Sequence, residues 1–140
     1  MVGKLARLRP KMKKSLVREV ELSRTIARHD PRRPPVISTP SMIGQMEQTA
    51  GTLLLPFLPR GALWVGTHIN VSHRAPAALG EKLRTTAVLE RISPPKKPRR
   101  HPRYLFSVEA KVGRRLVGAG TVEVAVVDHA GFAARAKPQR

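Results

Sequence analysis

The sequence predicts an α+β domain in which an antiparallel sheet of five or slightly more strands wraps around one long central helix. The first observation behind this prediction concerns charge. Charged residues make up 26% of the chain, yet the segment Pro34–Pro59 carries only one of them, Glu47. The second is that the chain after this segment has the pattern of successive strands and turns. An uncharged segment in so basic a chain is expected to be buried on several sides.

A half-buried first strand is predicted over Ser15–Ser23, continued by Thr25–Arg28, from a loose alternation of apolar and polar residues. Prolines then impose a loop, because proline lacks an amide hydrogen and disfavours helical geometry in its predecessor. The central helix is predicted to begin at Thr39-Pro40, with threonine as N-cap, and to end near Leu54. Apolar residues recur along it at helical spacing. Its opposite face is uncharged, which favours cover by a second subunit.

Four more strands are predicted, and they span Ala62–His73, Lys82–Ile92, Arg103–Val112 and Arg115–Val127. Gly113 marks the hairpin turn between the last two. The second of the four is expected to place five residues on one face: Leu83, Thr85, Ala87, Leu89 and Arg91. A proline-rich exposed loop precedes the third, and the tail from His129 is expected to be frayed. One strand, a long helix and four strands form the hot-dog arrangement.

The composition limits which cellular compartment and which kinds of metal or disulfide site are possible. Cysteine is absent, so disulfides and thiolate metal sites are excluded. No histidines and carboxylates have metal-ligand spacing, so no metal is expected. No apolar run is long enough to span a membrane, and the N-terminus lacks the apolar centre of a secretory signal. We therefore expect a cytoplasmic protein that makes no membrane contact.

The formal net charge of +18 raises the question of a nucleic-acid partner. Much of this charge lies in a flexible basic arm at 1–14, a loop at 93–103 and a basic tail at 134–140, around a hot-dog domain at 15–133. Aromatic residues are scarce, and only Tyr104 borders a basic cluster directly, whereas a single-strand platform stacks several among its charges. Nucleic acid is therefore an alternative partner rather than the favoured one.

Three polar side chains are associated with the predicted helix. Thr39 stands at its start, Glu47 two turns along, and His73 at the end of the next strand. That strand is expected to run beside the helix, so that His73 meets Glu47 within one subunit or across a dimer. Singly, each has an ordinary explanation: an N-cap, a carboxylate paired with Arg74 or Arg84, and a strand-end histidine. Their joint spacing favours a functional site.

Two segments, STPSMIGQME at 38–47 and GTHINVSH at 66–73, resemble the fluoroacetyl-CoA thioesterase-like family of hot-dog proteins. The family pairs a threonine with a glutamate eight residues later and a histidine 26 residues beyond, and both spacings hold here. A weaker similarity is the Gly-Ala-Gly-Thr run at 118–121. The resemblance covers roughly residues 15–133.

The resemblance implies hydrolysis of a short or medium acyl-CoA thioester at the interface of a homodimer, which can assemble further into a dimer of dimers. Glu47 would be the nucleophile or the general base, and His73 would exchange protons with it or with water. Thr39 would hold the carboxylate or the carbonyl, and the Gly66 amide would donate to the oxyanion. Coenzyme A enters as part of the substrate, and no other cofactor is expected.

The phosphates of the coenzyme would lie on basic surface residues, for which the candidates are Arg74, Arg99 and Arg100. The loop His29–Ser38 contains no aromatic residue, whereas the best-known family member has a phenylalanine-bearing lid there, so the resemblance does not imply fluoroacetyl selectivity and the acyl group stays open. The alternative function is a non-catalytic acyl-CoA or nucleic-acid binding module that uses its basic arms as contacts.

Overall fold

The computed structural model describes residues 3–138 and folds them as one antiparallel sheet around a long helix. The strands are β1 (Lys13–Glu19), β2 (Ala62–His73), β3 (Lys82–Ser93), β4 (Arg103–Val112) and β5 (Arg115–Asp128), and the helices are α1 (Thr39–Leu54) and α2 (His129–Arg135). Across the sheet the order is β1-β3-β4-β5-β2, with every neighbouring pair antiparallel. The predicted hot-dog arrangement is confirmed. No helix within residues 3–138 is long and apolar enough to cross a membrane.

Helix α1 ends at Leu54 as predicted, but its N-cap is Ser38 rather than Thr39. The Ser38 backbone is extended, and its hydroxyl accepts a hydrogen bond from the Ser41 amide at 3.2 Å. The cap is therefore one residue earlier than the sequence suggested, because the chain enters the helix already at Thr39. As a consequence, the Thr39 hydroxyl is not used as the cap and can make another contact.

The core lies between α1 and the sheet. From the helix, five apolar side chains are buried: Met42, Met46, Ala50, Leu53 and Leu54. They pack against apolar residues of the sheet, among them Leu83, Leu89, Phe106 and Val122. Each of these side chains larger than alanine contributes roughly 1.5–3 kcal/mol on full burial. This packing fixes the rotation of α1 about its axis, and so the direction in which its polar residues point.

The opposite face of α1 is partly covered within the same subunit. Gln45 is 2% exposed, and its amide nitrogen donates to the Leu83 carbonyl at 2.9 Å and to the Thr85 hydroxyl at 3.1 Å. Gly51 is buried under the Trp64 indole, which occupies the place of a Cβ there. The expected cover by a second subunit therefore is not needed for these two residues. The residues of this face that stay exposed are Gly44 and Gln48.

Two strand predictions are wrong, each because the backbone departs from a regular ladder. A register shift between Leu89 and Arg91 interrupts the alternation of β3, so Arg91 is exposed instead of continuing the buried face. The first strand stops at Glu19, and Thr25–Arg28 does not extend it. Residues 25–37 instead form an excursion whose ends are bridged, with the Ile26 amide donating to the Val36 carbonyl at 2.9 Å.

Both ends of the described chain are ordered. The N-terminal end packs into the core, and the C-terminal end forms a short helix. Leu8 is 1% exposed and belongs to the core, so residues 3–14 of the basic arm are anchored there by an apolar side chain. Residues His129–Arg135 form α2, so the prediction of a frayed tail is wrong for this part. Residues 1–2 and 139–140, which belong to the predicted arm and tail, lie outside the described residues.

Candidate active site

Thr39 and His73 are joined by a hydrogen bond, 2.8 Å long, between Oγ1 and Nδ1. Thr39 is the first residue of α1 and His73 the last of β2. Because Ser38 caps the helix, the threonine hydroxyl is free to reach the histidine ring. Which atom donates depends on the tautomer: Thr39 donates to an unprotonated Nδ1 and accepts from a protonated one.

The Glu47 carboxylate lies directly against the backbone of Gly66 in β2. A Cβ placed on Gly66 would overlap Oε2 of Glu47 and lie 3.1 Å from its Cδ. The register of β2 against β5 shifts between Gly66 and His68, so the strand is irregular at this point. Only glycine leaves room for the carboxylate here. The glutamate, half-buried, therefore occupies a niche formed by a missing side chain.

The structure divides the three predicted residues between two separate contacts, Thr39 with His73 and Glu47 with Gly66. Thr39 and Glu47 are separated by about 12 Å along the helix, since each residue rises 1.5 Å. His73 bonds to Thr39, and the expected contact of His73 with Glu47 is not made within the subunit. Among residues 3–138, no hydrogen bond or ion pair occupies the Glu47 carboxylate, and neither Arg74 nor Arg84 pairs with it. A half-buried carboxylate with no partner is available to a ligand.

The basic residues suggested for substrate binding lie at opposite ends of β2. Arg74 follows His73 directly and is exposed. Arg100 bonds to Asp128 at 3.0 Å, and Asp128 pairs with Ala62 at the start of β2. A strand of 12 residues extends about 36 Å from end to end. The loop with Arg99 and Arg100 lies at the Ala62 end of β2, whereas Thr39 and His73 lie at the other end. Within one subunit, the loop is therefore remote from Thr39 and His73.

The Asp128 carboxylate is held by two basic side chains of this loop. It bonds to His101 Nε2 and to Arg100, both at 3.0 Å. The hydrogen bond from His101, helped by the positive charge of Arg100, holds the pKa of Asp128 below its usual range. These contacts tie the basic loop to the end of β5 and give it a fixed place on the sheet. No three histidine, aspartate or glutamate residues of the described chain lie close enough together to hold a metal ion.

One feature beside Thr39 could not be predicted from the sequence. A cavity of about 560 Å³ lies between the 25–37 excursion and the start of α1, and Thr39 is part of its wall. Arg28 and Arg33 also line it. Their contribution depends on the excursion folding back onto the helix, which no local pattern indicates. The available signal was compositional: the loop before Thr39 is basic and polar and contains no aromatic residue.

Comparison with known proteins gives a consistent result. A model of the fluoroacetyl-CoA-specific thioesterase family matches residues 20–130. The solved structure of the fluoroacetyl-CoA thioesterase FlK is 27% identical, with 94% of this chain and 98% of that chain covered and a TM-score of 0.79. A threonine-to-serine variant of FlK in complex with acetyl-CoA is 26% identical, covers 91% and 96%, and has a TM-score of 0.81.

A hot-dog-like protein from Thermanaerovibrio acidaminovorans is also similar, with 25% identity, 90% of this chain and 88% of that chain covered, and a TM-score of 0.78. A search of curated proteins by sequence finds no significant match.

Proposed function

Since the chain belongs to the fluoroacetyl-CoA-specific thioesterase family and is a thioester hydrolase, we propose that it hydrolyses short or medium acyl-CoA thioesters with Thr39, Glu47 and His73. The carrying observation is that Glu47 is half-buried, unpaired and seated in the Gly66 niche, on the same helix as the Thr39 of the Thr39–His73 pair and about 12 Å along that helix from it. No cation or hydrogen-bond donor of residues 3–138 engages this carboxylate, so it is open to solvent or to a ligand. An acyl-CoA substrate is supported by the acetyl-CoA complex of the FlK variant.

The chemistry assigned to Glu47 is attack on the thioester carbonyl or activation of the water that attacks it. In the first route, the carboxylate displaces the thiolate of coenzyme A and forms a mixed anhydride, which water then hydrolyses. In the second, water adds directly while the carboxylate takes its proton. In both, the C–S bond breaks, and the products are a carboxylate and the free thiol. The Gly66 amide, at the carboxylate niche, is the proposed donor to the oxyanion.

Thr39 and His73 act as a unit in this proposal. When the His73 ring is protonated on both nitrogens, Nδ1–H donates to the Thr39 hydroxyl oxygen and the proton on Nε2 can be given to the departing sulfur. The imidazole is then neutral, and its Nε2 can take a proton from water in the second half of the reaction. Thr39 fixes the ring orientation and, because its oxygen accepts from Nδ1, keeps its own proton to donate to the acyl carbonyl.

The test is hydrolysis of acetyl-, butanoyl- and octanoyl-CoA followed by thiol release. Glu47→Gln, which keeps the shape and removes the charge, is expected to lower kcat by roughly 10²–10⁴-fold, the usual contribution of a proton-transfer group. His73→Ala is expected to lower kcat by a similar factor. Thr39→Val should lose activity and Thr39→Ser should retain most of it, because only the second keeps a hydroxyl. Unchanged activity in Glu47→Gln would refute the assignment.

The matched control for these variants is Gln48→Ala, which alters the exposed neighbour of Glu47 on the same helix. Its activity is expected to equal that of the wild type. The anhydride route is tested by a single turnover in ¹⁸O-labelled water. Label in the Glu47 side chain shows a mixed anhydride that water attacks at the Glu47 carbonyl, whereas attack by water on the acyl carbonyl, of the anhydride or of the thioester, labels the product acid alone.

We further propose that the chain forms a homodimer through β2. This strand lies at one edge of the sheet, and none of its 12 residues is Lys, Arg, Asp or Glu. The other edge strand, β1, carries four charges in seven residues. An uncharged edge strand is a template for pairing with another strand, and charge on an edge protects it. The uncharged β2, with Ile69 37% exposed, is suited to pair with its copy.

Antiparallel pairing of β2 with its copy would also complete the substrate site. It sets the Ala62 end of one subunit near the partner subunit's His73, and so brings Arg99 and Arg100 toward Arg74 of the other subunit. These side chains are proposed to contact the phosphates of coenzyme A. Ile69→Lys is expected to give monomers in sedimentation analysis and to lose activity, whereas Leu79→Lys, at an exposed turn residue, should do neither. An active wild-type monomer would contradict the dimer.

A further inference from the structure

The cavity beside Thr39 has a defined, hydrogen-bonded wall. The 25–37 excursion is closed by the bridge between Thr25 and Ile37 and returns to the helix through the Ser38 amide, which donates to the Arg24 carbonyl at 2.9 Å. The space beside this wall is open to solvent and has a volume of about 560 Å³. Because Thr39 belongs to both the cavity and the Thr39–His73 pair, a group bound in this space would lie next to the proposed reaction centre.

The lining of this cavity is polar and positively charged. Its basic members are Arg28, His29 and Arg33, and its single carboxylate is Asp30. That carboxylate is already occupied by Arg32, at 3.0 and 3.3 Å. No ion pair or side-chain hydrogen bond engages Arg28 or Arg33 anywhere in residues 3–138. Two guanidinium groups are therefore left with their donors free.

An apolar acyl chain would gain little binding free energy in such a space, because the apolar lining is limited to a few side chains, such as Ile26 and Pro40. An anion would gain more binding free energy there. Guanidinium groups make bidentate, charge-assisted hydrogen bonds to carboxylate and phosphate, about twice as strong as neutral ones. The lining thus selects ligands by their charge rather than by the length of an apolar chain.

We propose that this cavity binds an anionic group of the substrate, and that this group is a carboxylate on the acyl chain. The inference rests on the proposed thioesterase function and names its substrate class: acyl-CoA thioesters of dicarboxylic acids. Thr39 in the cavity wall favours the acyl group as the source, since the acyl carbonyl is the part of the substrate that Thr39 contacts. Hydrolysis adds water across the C–S bond and releases a dicarboxylate and free coenzyme A.

The test compares malonyl-CoA with 3-methylbutanoyl-CoA, which have acyl groups of similar shape and differ in charge. The wild type is expected to prefer malonyl-CoA in kcat/KM, and Arg28→Ala/Arg33→Ala should reduce that preference roughly 10- to 100-fold, the effect of losing hydrogen bonds to a charged group. Arg28→Lys/Arg33→Lys should restore part of it. Arg114→Ala, at an exposed arginine of the β4–β5 turn, is the control and should leave the preference unchanged.

A second pair of substrates identifies the source of the anion. Malonyl and 3-methylbutanoyl thioesters of pantetheine lack the nucleotide phosphates. If the double substitution lowers kcat/KM equally for both CoA esters and for neither pantetheine ester, the cavity binds phosphate and the acyl assignment is overturned. If it lowers kcat/KM for none of the four substrates, the anion site itself is overturned.

A binding measurement separates this inference from the proposed function. Malonate titrated into the wild type, followed by the NMR signals of Thr39 and Ile26, is expected to bind, and to bind several-fold more weakly to the double variant. If the wild type hydrolyses none of the thioesters, the proposed function fails, while malonate binding that depends on Arg28 and Arg33 still supports the anion site. Equal binding of malonate to wild type and variant would overturn it.

Discussion

Replacement of Gly66 by alanine tests whether the position of the Glu47 carboxylate matters. The added Cβ would occupy the place of Oε2, and real Cβ atoms essentially never come within 3.0 Å of a neighbour. The backbone at Gly66 is not in the left-handed region, so alanine fits the strand itself. The atom that must give way is the end of a flexible side chain. The carboxylate, rather than the sheet, is therefore expected to move.

The expected magnitudes differ for activity and stability. A displacement of about 1 Å of a reacting group can cost on the order of 10²-fold in rate, which corresponds to about 2.7 kcal/mol in the activation free energy. The free energy of unfolding should stay level or rise by roughly 0.5–1 kcal/mol, because glycine in a strand interior is entropically unfavourable. Gly66→Ala is thus expected to be a folded, stable and nearly inactive protein.

The assay pairs kcat from thiol release with urea unfolding of the same preparation. The double variant Gly66→Ala/Glu47→Asp provides the internal check, because a side chain shorter by one methylene leaves room for the new Cβ. Its activity should fall less than the product of the two single effects. Full activity in Gly66→Ala would refute the idea that the niche positions Glu47, and a large loss of stability would show that the sheet, not the carboxylate, had been disturbed.

Three further predictions concern stability, each measured by urea or thermal unfolding. In Gly120→Ala, the new Cβ would overlap the Asn70 carbonyl and lie 2.7 Å from the Val71 Cα; because these are backbone atoms, we expect a loss of roughly 1–3 kcal/mol, and an unchanged midpoint would contradict the close strand approach. Leu8→Ala should cost roughly 2–5 kcal/mol if residues 3–14 are anchored as the structure shows, and almost nothing if they are a free arm. Tyr104→Phe should stabilise the protein by about 1 kcal/mol at neutral pH, because the buried hydroxyl has no partner among residues 3–138. Burial raises the pKa of Tyr104 to about 12, so the wild type should lose stability relative to this variant as the pH rises from about 10 to about 12, and a constant difference would contradict it.

The sequence was informative wherever a pattern is local. The spacing of apolar residues and the position of proline located α1 to within one residue at each end, because helix geometry repeats over a few residues. The same locality explains its limits. Ser38 and Thr39 are adjacent hydroxyl residues that can both cap a helix, and the extended backbone at Ser38 makes it the cap. At Arg91, alternation alone predicted the same face as Leu89, and a bulge against β4 reversed the face.

Local sequence patterns specify the helix with its lone carboxylate, the strands around it and the spacing of Thr39, Glu47 and His73. Which of these residues meet depends on the tertiary packing. His73 is 34 residues from Thr39 and bonds to it because β2 ends where α1 begins. Glu47 remains free because a glycine 19 residues later lies opposite it. Arg28 and Arg33 reach the same region only because the excursion closes on itself. Contacts between residues distant in the chain depend on how the core packs α1 against the sheet, and no local pattern carries that information.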